Sequence, residues 1–186
     1  MPEPPVFFEG GEGMRENWPK APFLEDREYA RAIEAFPRPC SDIIGVDPAT
    51  KSFFLPKRRH PAAPGVWCFG GGQKMGETPR EAATRILRHE AGLELAPDDL
   101  QFLSFSVIFW MLRNPEPQDR GEHSILFTFV FVPSADELVA ISSSLDPKEY
   151  EVEHGVRPYS LRDLEALSEP QKVRLIEYWH AIFGEQ

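Results

Sequence analysis

The stretch "GGGQKMGETPREAATRILRHEAGLEL", residues 70–95, joins a run of three glycines to a strong helix signal. Thr78 is a preferred N-cap residue, Pro79 suits the first helical position, and Glu81 can reach back to complete a capping box. Gly92 is the residue type that most often ends a helix in the left-handed conformation. The stretch therefore predicts a helix that starts at Pro79 and stops before Gly92.

The predicted helix places one carboxylate on its apolar side. Glu90 follows Ile86 by four residues and Leu87 by three, so it shares their face. A carboxylate on that face is costly unless a cation or hydrogen-bond donors meet it. Glu90 is therefore either a residue at the edge of the stripe that reaches solvent or a metal ligand, with the glycine run before the helix able to bring bare backbone close to an ion or a phosphate.

The spacing of this stretch resembles the signature box of the Nudix hydrolases. The matching positions are Gly71, Glu77, Arg85, Leu87, Glu90, Gly92 and Leu93. The resemblance implies an α/β fold, the Nudix-type α/β/α sandwich with a mixed sheet. It also implies Mg²⁺ (or Mn²⁺) held by Glu90 and a carbonyl of Gly70 or Gly71, with structural roles for Glu77, Arg85 and Gly92.

The box departs from the family pattern at its carboxylates. Ile86 stands where the family usually has Glu after the Arg, and His89 stands where it has the first of two adjacent Glu. Of three helix carboxylates only Glu90 remains, so we expect at most about one bound ion. His89 is a possible replacement ligand, although Mg²⁺ prefers oxygen donors.

A similar depletion characterises the GDP-mannose mannosyl hydrolase branch of the family. The segment "FLPKRRHPAAPGVW", residues 54–67, also resembles that branch. The resemblance implies that Arg58, with Lys57 beside it, binds substrate. It also implies attack of water on the anomeric carbon of a nucleoside diphosphate sugar, with the diphosphate as leaving group.

The same branch has its general base on a late loop, and "EYEVEHGVRPY", residues 149–159, is the nearest match. Counting back from Arg157 gives Glu153, whereas a neutral imidazole makes His154 the better proton acceptor. An exposed loop without a role is the alternative. His123 and His60 are further candidates, and a structural role is favoured for each.

Composition and charge limit the classes of function. A net charge of −10 argues against a general nucleic-acid binder. The longest apolar runs are too short to span a membrane, and no signal peptide is recognisable. Two cysteines without a secretory signal favour reduced thiols and a cytoplasmic setting. The resemblance implies a small nucleoside diphosphate derivative as the partner. The resemblance and the apolar anchors of the N-terminal arm, Phe7, Phe8, Trp18 and Phe23, both favour a homodimer.

The chain divides into residues 1–38, an N-terminal extended arm and short helix, and residues 39–186, the Nudix domain. Alternating and apolar runs predict strands at 41–47, 52–59, 100–113 and 123–132, with a further short strand between 149 and 159. Helices are predicted at 24–36 and after the N-cap candidates Ser160 and Ser168, the last ending at Gly184.

Three functions remain open at this point. The first is Mg²⁺-dependent hydrolysis of a nucleoside diphosphate sugar at the sugar carbon. The second is ordinary Nudix pyrophosphate cleavage, with other residues replacing the lost ligands: His89, Glu77, Glu151 and Glu153. The third is a domain that binds a nucleotide or a protein without catalysis.

Overall fold

A computed structural model describes residues 2–7, 9, 22, 24–59 and 63–184. Six strands form one mixed sheet in the order β6-β7-β1-β2-β8, with β5 paired to β1. Their bounds are β1 Arg38–Asp47, β2 Ser52–Leu55, β5 Phe69–Gly72, β6 Gln101–Trp110, β7 Glu122–Phe131 and β8 Arg157–Tyr159. Strands β3 Lys57–Arg58 and β4 Gly65–Val66 form a separate antiparallel pair.

Five α-helices accompany the sheet in the described residues: α1 Asp26–Ala35, α2 Pro79–Ala91, α3 Ala135–Ser144, α4 Leu161–Ala166 and α5 Lys172–Phe183. Strand β1 is central, since it pairs in parallel with β7 and antiparallel with both β2 and β5. Among the described helices, none has the length and apolar content that a membrane crossing requires.

Two hydrophobic cores lie on opposite faces of the sheet. Ile43 and Phe129 face one core, where they meet Leu87 from α2 and Ile141 from α3. The second core joins Ile44 and its neighbours on β1 to α4 and α5. Successive residues of a strand point to opposite faces, so one central strand supplies both cores. The predicted α/β/α sandwich with a mixed sheet is confirmed.

Helix α2 forms where its local signals predict. Thr78 accepts a hydrogen bond from the Glu81 amide, and Glu81 completes the capping box. Gly92 adopts the left-handed conformation with φ of 63°, and a side chain there would also meet Ser144. Its buried face consists of Ala82, Ala83, Ile86, Leu87 and Ala91.

Several predicted elements differ in extent. The predicted strand 52–59 is interrupted at Pro56, which cannot donate to the sheet, so its second half joins β4 instead. Ser168 is not an N-cap, because α5 begins at Lys172 after Gln171. Helix α3 was not predicted at all. Its N-terminus is nonetheless capped by Ser134, which accepts from the Glu137 amide.

The N-terminal arm is described only in part. Glu3 pairs with Arg80 at the start of α2, whereas Phe7 is 84% exposed. The apolar anchors predicted further along the arm, Phe8, Trp18 and Phe23, lie outside the described residues, as does the weighed candidate His60.

We expect Leu87→Ala to lower the free energy of unfolding by about 2–5 kcal/mol, because it opens a cavity beneath α2 where Leu87 is fully buried. Urea unfolding measures the change. Val139→Ala on α3 is the control, since Val139 is 71% exposed and its truncation should change stability by less than about 0.5 kcal/mol. Equal losses in the two variants would contradict the placement of α2.

Candidate active site

A charged cavity of about 230 Å³ opens where β5 passes α2. Glu90 and Arg58 line it together with the glycine run of β5, and three further carboxylates come from Asp42, Glu122 and Glu149. The structure thus brings together five of the predicted site residues, which are Arg58, Arg85, Glu90, Gly70 and Gly71. We refer to this cavity as the Arg58 pocket.

Glu90 is held by contacts from separate parts of the chain. The Tyr150 hydroxyl donates a hydrogen bond to its carboxylate, and the Gly70 amide is a further backbone donor. The Asp146 amide also donates to the Glu90 carbonyl, at 3.0 Å, which ties the turn before Tyr150 to the end of α2. Burial raises the pKa of Glu90 to about 7, against the opposing effects of Arg58 and Tyr150.

Arg58 is the cation closest to these carboxylates. Its guanidinium lies 3.7 Å from Glu149, and its charge also acts on Glu90 and Asp42. The side chain is only 16% exposed, and its Nε has no hydrogen-bond partner among the described residues. A buried donor without a partner is costly, so this nitrogen is suited to an anionic ligand.

Asp42 lies on β1 directly opposite Gly70 of the paired strand β5. The Trp67 indole donates a hydrogen bond of 3.2 Å to one carboxylate oxygen. Burial raises the pKa of Asp42 to about 6 from an ordinary value of 3.8, although Arg58 and this hydrogen bond act in the opposite direction. A carboxyl group enclosed in this way changes charge near neutral pH.

The glycines allow the carboxylates to approach the backbone. A Cβ on Gly70 would lie 2.0 Å from the Asp42 carboxylate, and one on Gly71 would lie 3.7 Å from that of Glu90. Since Gly70 and Gly71 point to opposite faces of β5, the strand runs between the two acids. A side chain at Gly70 would displace Asp42, which accounts for glycine at that position.

Arg85 stabilises the loop that follows β5. It donates to both carboxylate oxygens of Glu77 and, at 2.9 Å, to the Gly72 carbonyl. Glu77 also accepts from the Lys74 amide. The three contacts fix the path from the glycine strand to α2, so Arg85, Glu77 and Gly92 lie where a structural role requires them.

The candidate bases of the late loop, His154 and Glu153, do not line the Arg58 pocket. The His154 ring lies 3.0 Å from the Tyr159 hydroxyl, and its pKa is lowered, mainly by burial. Glu153 is 85% exposed and pairs with Arg59, while Lys57 pairs with Glu151. Lys57 and Arg58 are consecutive strand residues and point in opposite directions. The geometry gives no support to His154, Glu153 or Lys57 as site residues, and their roles stay predictions.

The proposed replacement ligands are also apart from the pocket. His89 is exposed on the outer side of α2, and Glu77 is occupied by Arg85. Throughout the part of the chain that the structure describes, no group of three or more His, Cys, Asp or Glu side chains could hold a metal. His123 stacks on Phe109 at 4.4 Å between ring centres, in line with a structural role.

A single divalent ion is compatible with the donors that are present. Glu90 and Glu149 line the same pocket as the bare backbone at Gly71, which lies next to the Glu90 carboxylate. Carboxylate and carbonyl oxygens are the donors that Mg²⁺ prefers. A cluster of two or three ions has too few ligands among the described residues.

Sequence reasoning missed several residues that line or support the pocket. Tyr150 and Glu149 were read only as part of a polar loop, and Asp42 only as part of a strand. A signal for Asp42 existed, because it shares a strand face with Cys40 and Ile44, where a carboxylate is unexpected. No local signal identifies Tyr150, since its partner Glu90 is 60 residues earlier.

Comparison with known proteins identifies the class of this molecule. The family model described as NUDIX domain matches residues 37–178. The chain therefore belongs to the Nudix family, and the predicted hydrolase class is confirmed at that level. A search among curated proteins found no match.

Solved structures show the same fold at low sequence identity. A MutT NUDIX hydrolase from Burkholderia pseudomallei is 19% identical, with a TM-score of 0.56 over 77% of this chain and 98% of that one. DR0079 from Deinococcus radiodurans is 14% identical, with a TM-score of 0.54 over 86% and 98%. A UDP-X diphosphatase is 14% identical, with a TM-score of 0.50 over 88% and 74%.

The raised pKa of Asp42 predicts a pH-dependent effect of Asp42→Asn. Asp42 ionises near pH 4 in the unfolded chain and near pH 6 in the folded protein. The free energy of unfolding of the wild type therefore decreases as the pH rises from 4 to 6. The variant lacks that loss, and its stability relative to wild type should rise by about 2–3 kcal/mol over the interval. Urea unfolding in chelator between pH 4 and 7 measures it.

Asp163→Asn is the matched control for that experiment. Hydrogen bonds from Ser160 lower the pKa of Asp163, so its ionised form is the stabilising one. That stabilisation is lost only below about pH 4, so the difference between Asp163→Asn and wild type should stay nearly constant between pH 4 and 7. A pH-independent difference between Asp42→Asn and wild type would contradict the buried placement of Asp42.

Ile86→Glu tests the loss of metal ligands directly. Ile86 is 2% exposed and lines the Arg58 pocket one turn before Glu90. We expect the second carboxylate to destabilise the metal-free protein and Mg²⁺ to restore about 1–3 kcal/mol through binding to the folded state. Thermal unfolding with and without Mg²⁺ gives the answer. Ile86→Gln should be destabilised without any recovery in Mg²⁺. Equal recovery of stability in the two variants would contradict a metal site next to Ile86.

Proposed function

We propose that the chain is a Nudix hydrolase that acts on a nucleoside diphosphate derivative of the nucleoside diphosphate sugar class. In this proposal, water attacks the sugar carbon, and the products are a nucleoside diphosphate and the free sugar. The observation that carries the proposal is the buried Arg58 nitrogen without a partner in the described chain, beside a pocket with donors for no more than about one ion.

Arg58 has the geometry of a receptor for the leaving diphosphate. Its guanidinium is enclosed, so a hydrogen bond to phosphate oxygen is stronger there than at an exposed site. The positive charge is fixed on β3, and the pairing of β3 with β4 holds it in place. Charge that develops on the departing diphosphate would meet a preorganised cation.

Mg²⁺, or Mn²⁺, would be held by Glu90 with a Gly70 or Gly71 carbonyl, and Glu149 is a further donor in reach of the same pocket. When bound, one such ion neutralises charge on a diphosphate. Tyr150 and the Gly70 amide orient the Glu90 carboxylate for that purpose. The residue set favours one ion over several.

The number of ligands distinguishes the two possible bonds. Cleavage at phosphorus in diphosphates is served by sites that place two metal ions about 4 Å apart. Here Ile86 and His89 replace two carboxylates, and Glu77, Glu151 and Glu153 are each paired with a cation. Attack on carbon needs only that the diphosphate leave readily, which Arg58 and one ion support.

Water activation is assigned to the pocket and not to the late loop. Asp42 is the carboxylate of β1 that lines the pocket, and Trp67 holds it in one orientation. His154 would have to leave its contact with Tyr159 to reach Glu90. We therefore expect His154→Gln to retain turnover within about tenfold and Asp42→Asn to lose about 10²–10⁴-fold.

The proposal includes assembly as a homodimer. Residues 101–106, the first half of the edge strand β6, contain no charged side chain, although the chain carries a net charge of −10. An uncharged edge avoids repulsion between identical, acidic copies. Sedimentation analysis would show a monomer if this part of the proposal is wrong.

The decisive experiment is ³¹P NMR of the reaction with Mg²⁺ and a panel of nucleoside diphosphate sugars in ¹⁸O-labelled water. The proposal predicts nucleoside diphosphate and sugar, with the label on the sugar. Glu90→Gln should reduce turnover by about 10²–10³-fold, because it removes the carboxylate that orients the ion. Glu94→Gln, an exposed position near the same helix end, is the control and should leave turnover unchanged.

Two results would overturn the assignment. Label on phosphate, with nucleoside monophosphate as product, would establish cleavage at phosphorus. Wild-type turnover in Glu90→Gln would show that catalysis does not require an ion bound by Glu90. Tight nucleotide binding without any product would instead identify a binding domain.

A further inference from the structure

A second cavity lies next to the Arg58 pocket. It is a groove of about 980 Å³ between the end of β6 and the start of α5. Trp67 and Trp110 line both cavities, so the groove and the Arg58 pocket share an aromatic wall. We call it the Trp110 groove. Apart from Trp67, none of the residues discussed so far as candidate site residues lines it.

Size separates the roles of the two cavities. Pockets that enclose small-molecule ligands usually measure about 300–1,000 Å³. The Arg58 pocket has only 230 Å³, enough for a diphosphate but not for a complete nucleoside diphosphate derivative. The remainder of such a molecule must lie elsewhere, and the Trp110 groove is adjacent and large enough.

The chemistry of the groove suits a flat, uncharged ring. Ile108, Met111 and Val173 make its wall largely apolar. The indole of Trp110 is fixed by its hydrogen bond to Ser124, at 3.2 Å, and by edge contact with Trp67 at 5.6 Å between ring centres. A rigid indole is a stacking surface for a nucleobase.

Polar groups at the groove match the edge of a base. Arg174 lies over the Tyr178 ring at 4.5 Å, and its buried Nε has no partner in the described chain. Asp119, Glu169 and Glu177 line the groove as well and offer acceptors for base N–H groups. These three carboxylates repel phosphate, so the diphosphate belongs at Arg58 and the base in the groove.

From these observations we propose that the Trp110 groove is the nucleobase subsite, in which the base stacks on Trp110 while the diphosphate is bound at Arg58. This inference rests on the proposed function, because it assumes a nucleoside diphosphate derivative as substrate. It assigns to β6 and α5 a specificity role that the signature box does not contain.

Calorimetric titration separates the two subsites. Wild-type protein with Mg²⁺ is titrated with inorganic pyrophosphate and with ADP, GDP, UDP and CDP. Stacking should make at least one nucleoside diphosphate bind about tenfold or more tightly than pyrophosphate. If none binds more tightly, the inference is overturned while the Arg58 assignment stands.

Val173→Glu tests the groove without touching the Arg58 pocket. Val173 is 60% exposed, so a charged residue is tolerated there, yet it lines the groove. We expect the variant to lose the preference for the nucleoside diphosphate and to bind pyrophosphate as wild type does. Val139→Glu, at another exposed helical valine, should retain the preference.

The remaining outcomes are also decisive. An unchanged preference in Val173→Glu would overturn the inference. So would a fall in molar mass of that variant in sedimentation, since the groove would then be occupied by a second copy. Retained pyrophosphate binding in Arg58→Met would contradict the proposed function, whereas the comparison of Val173→Glu with Val139→Glu would still report on the groove.

Discussion

Glu90 is a partly buried carboxylate, and the hydrogen bonds that hold it determine the arrangement of the residues around it. Tyr150 and the Gly70 amide bond to it, and Arg58 supplies the nearest balancing charge. These contacts come from three separate parts of the chain. The end of α2, the glycine strand and the turn before Tyr150 must therefore assemble together, because a buried carboxylate without such partners would cost several kcal/mol.

The depleted signature box has a physical counterpart in the core. Ile86 replaces a ligand and packs with Leu87 and Ala83 against the sheet, so the first hydrophobic layer extends up to Glu90. Because Ile86 supplies no oxygen donor, the proposed metal site has one carboxylate ligand fewer at this position. Arg58 takes over part of the balancing charge, and since a guanidinium is permanent, the pocket keeps an anion-binding cation whether or not an ion is bound.

The predictable features are those with local causes. Helix α2 follows from Thr78 and Gly92, which act within a few residues of its ends. Glu90 was predicted from spacing that resembles the family box, and Arg58 from the resemblance of the segment 54–67 to one branch of the family. Helix α3 was not predicted because its apolar residues run together at 138–141 instead of recurring at helical spacing, and its end is rich in serine. The contacts of Asp42 with Trp67 and of Tyr150 with Glu90 join distant residues, and only the assembled sheet brings them together.

In the proposed function, the two cavities would divide the substrate by charge as well as by size. The Arg58 pocket holds a buried cation among carboxylates, whereas the Trp110 groove is apolar with an acidic rim. A nucleoside diphosphate bound across the Trp67–Trp110 wall would have both its base and its phosphates fixed by the protein. The fragment that departs most easily is then the one attached to neither cavity, which is the sugar beyond the diphosphate. Holding the nucleoside diphosphate as one piece favours cleavage at the sugar carbon, since cleavage between the phosphorus atoms would divide the part that the site holds most firmly.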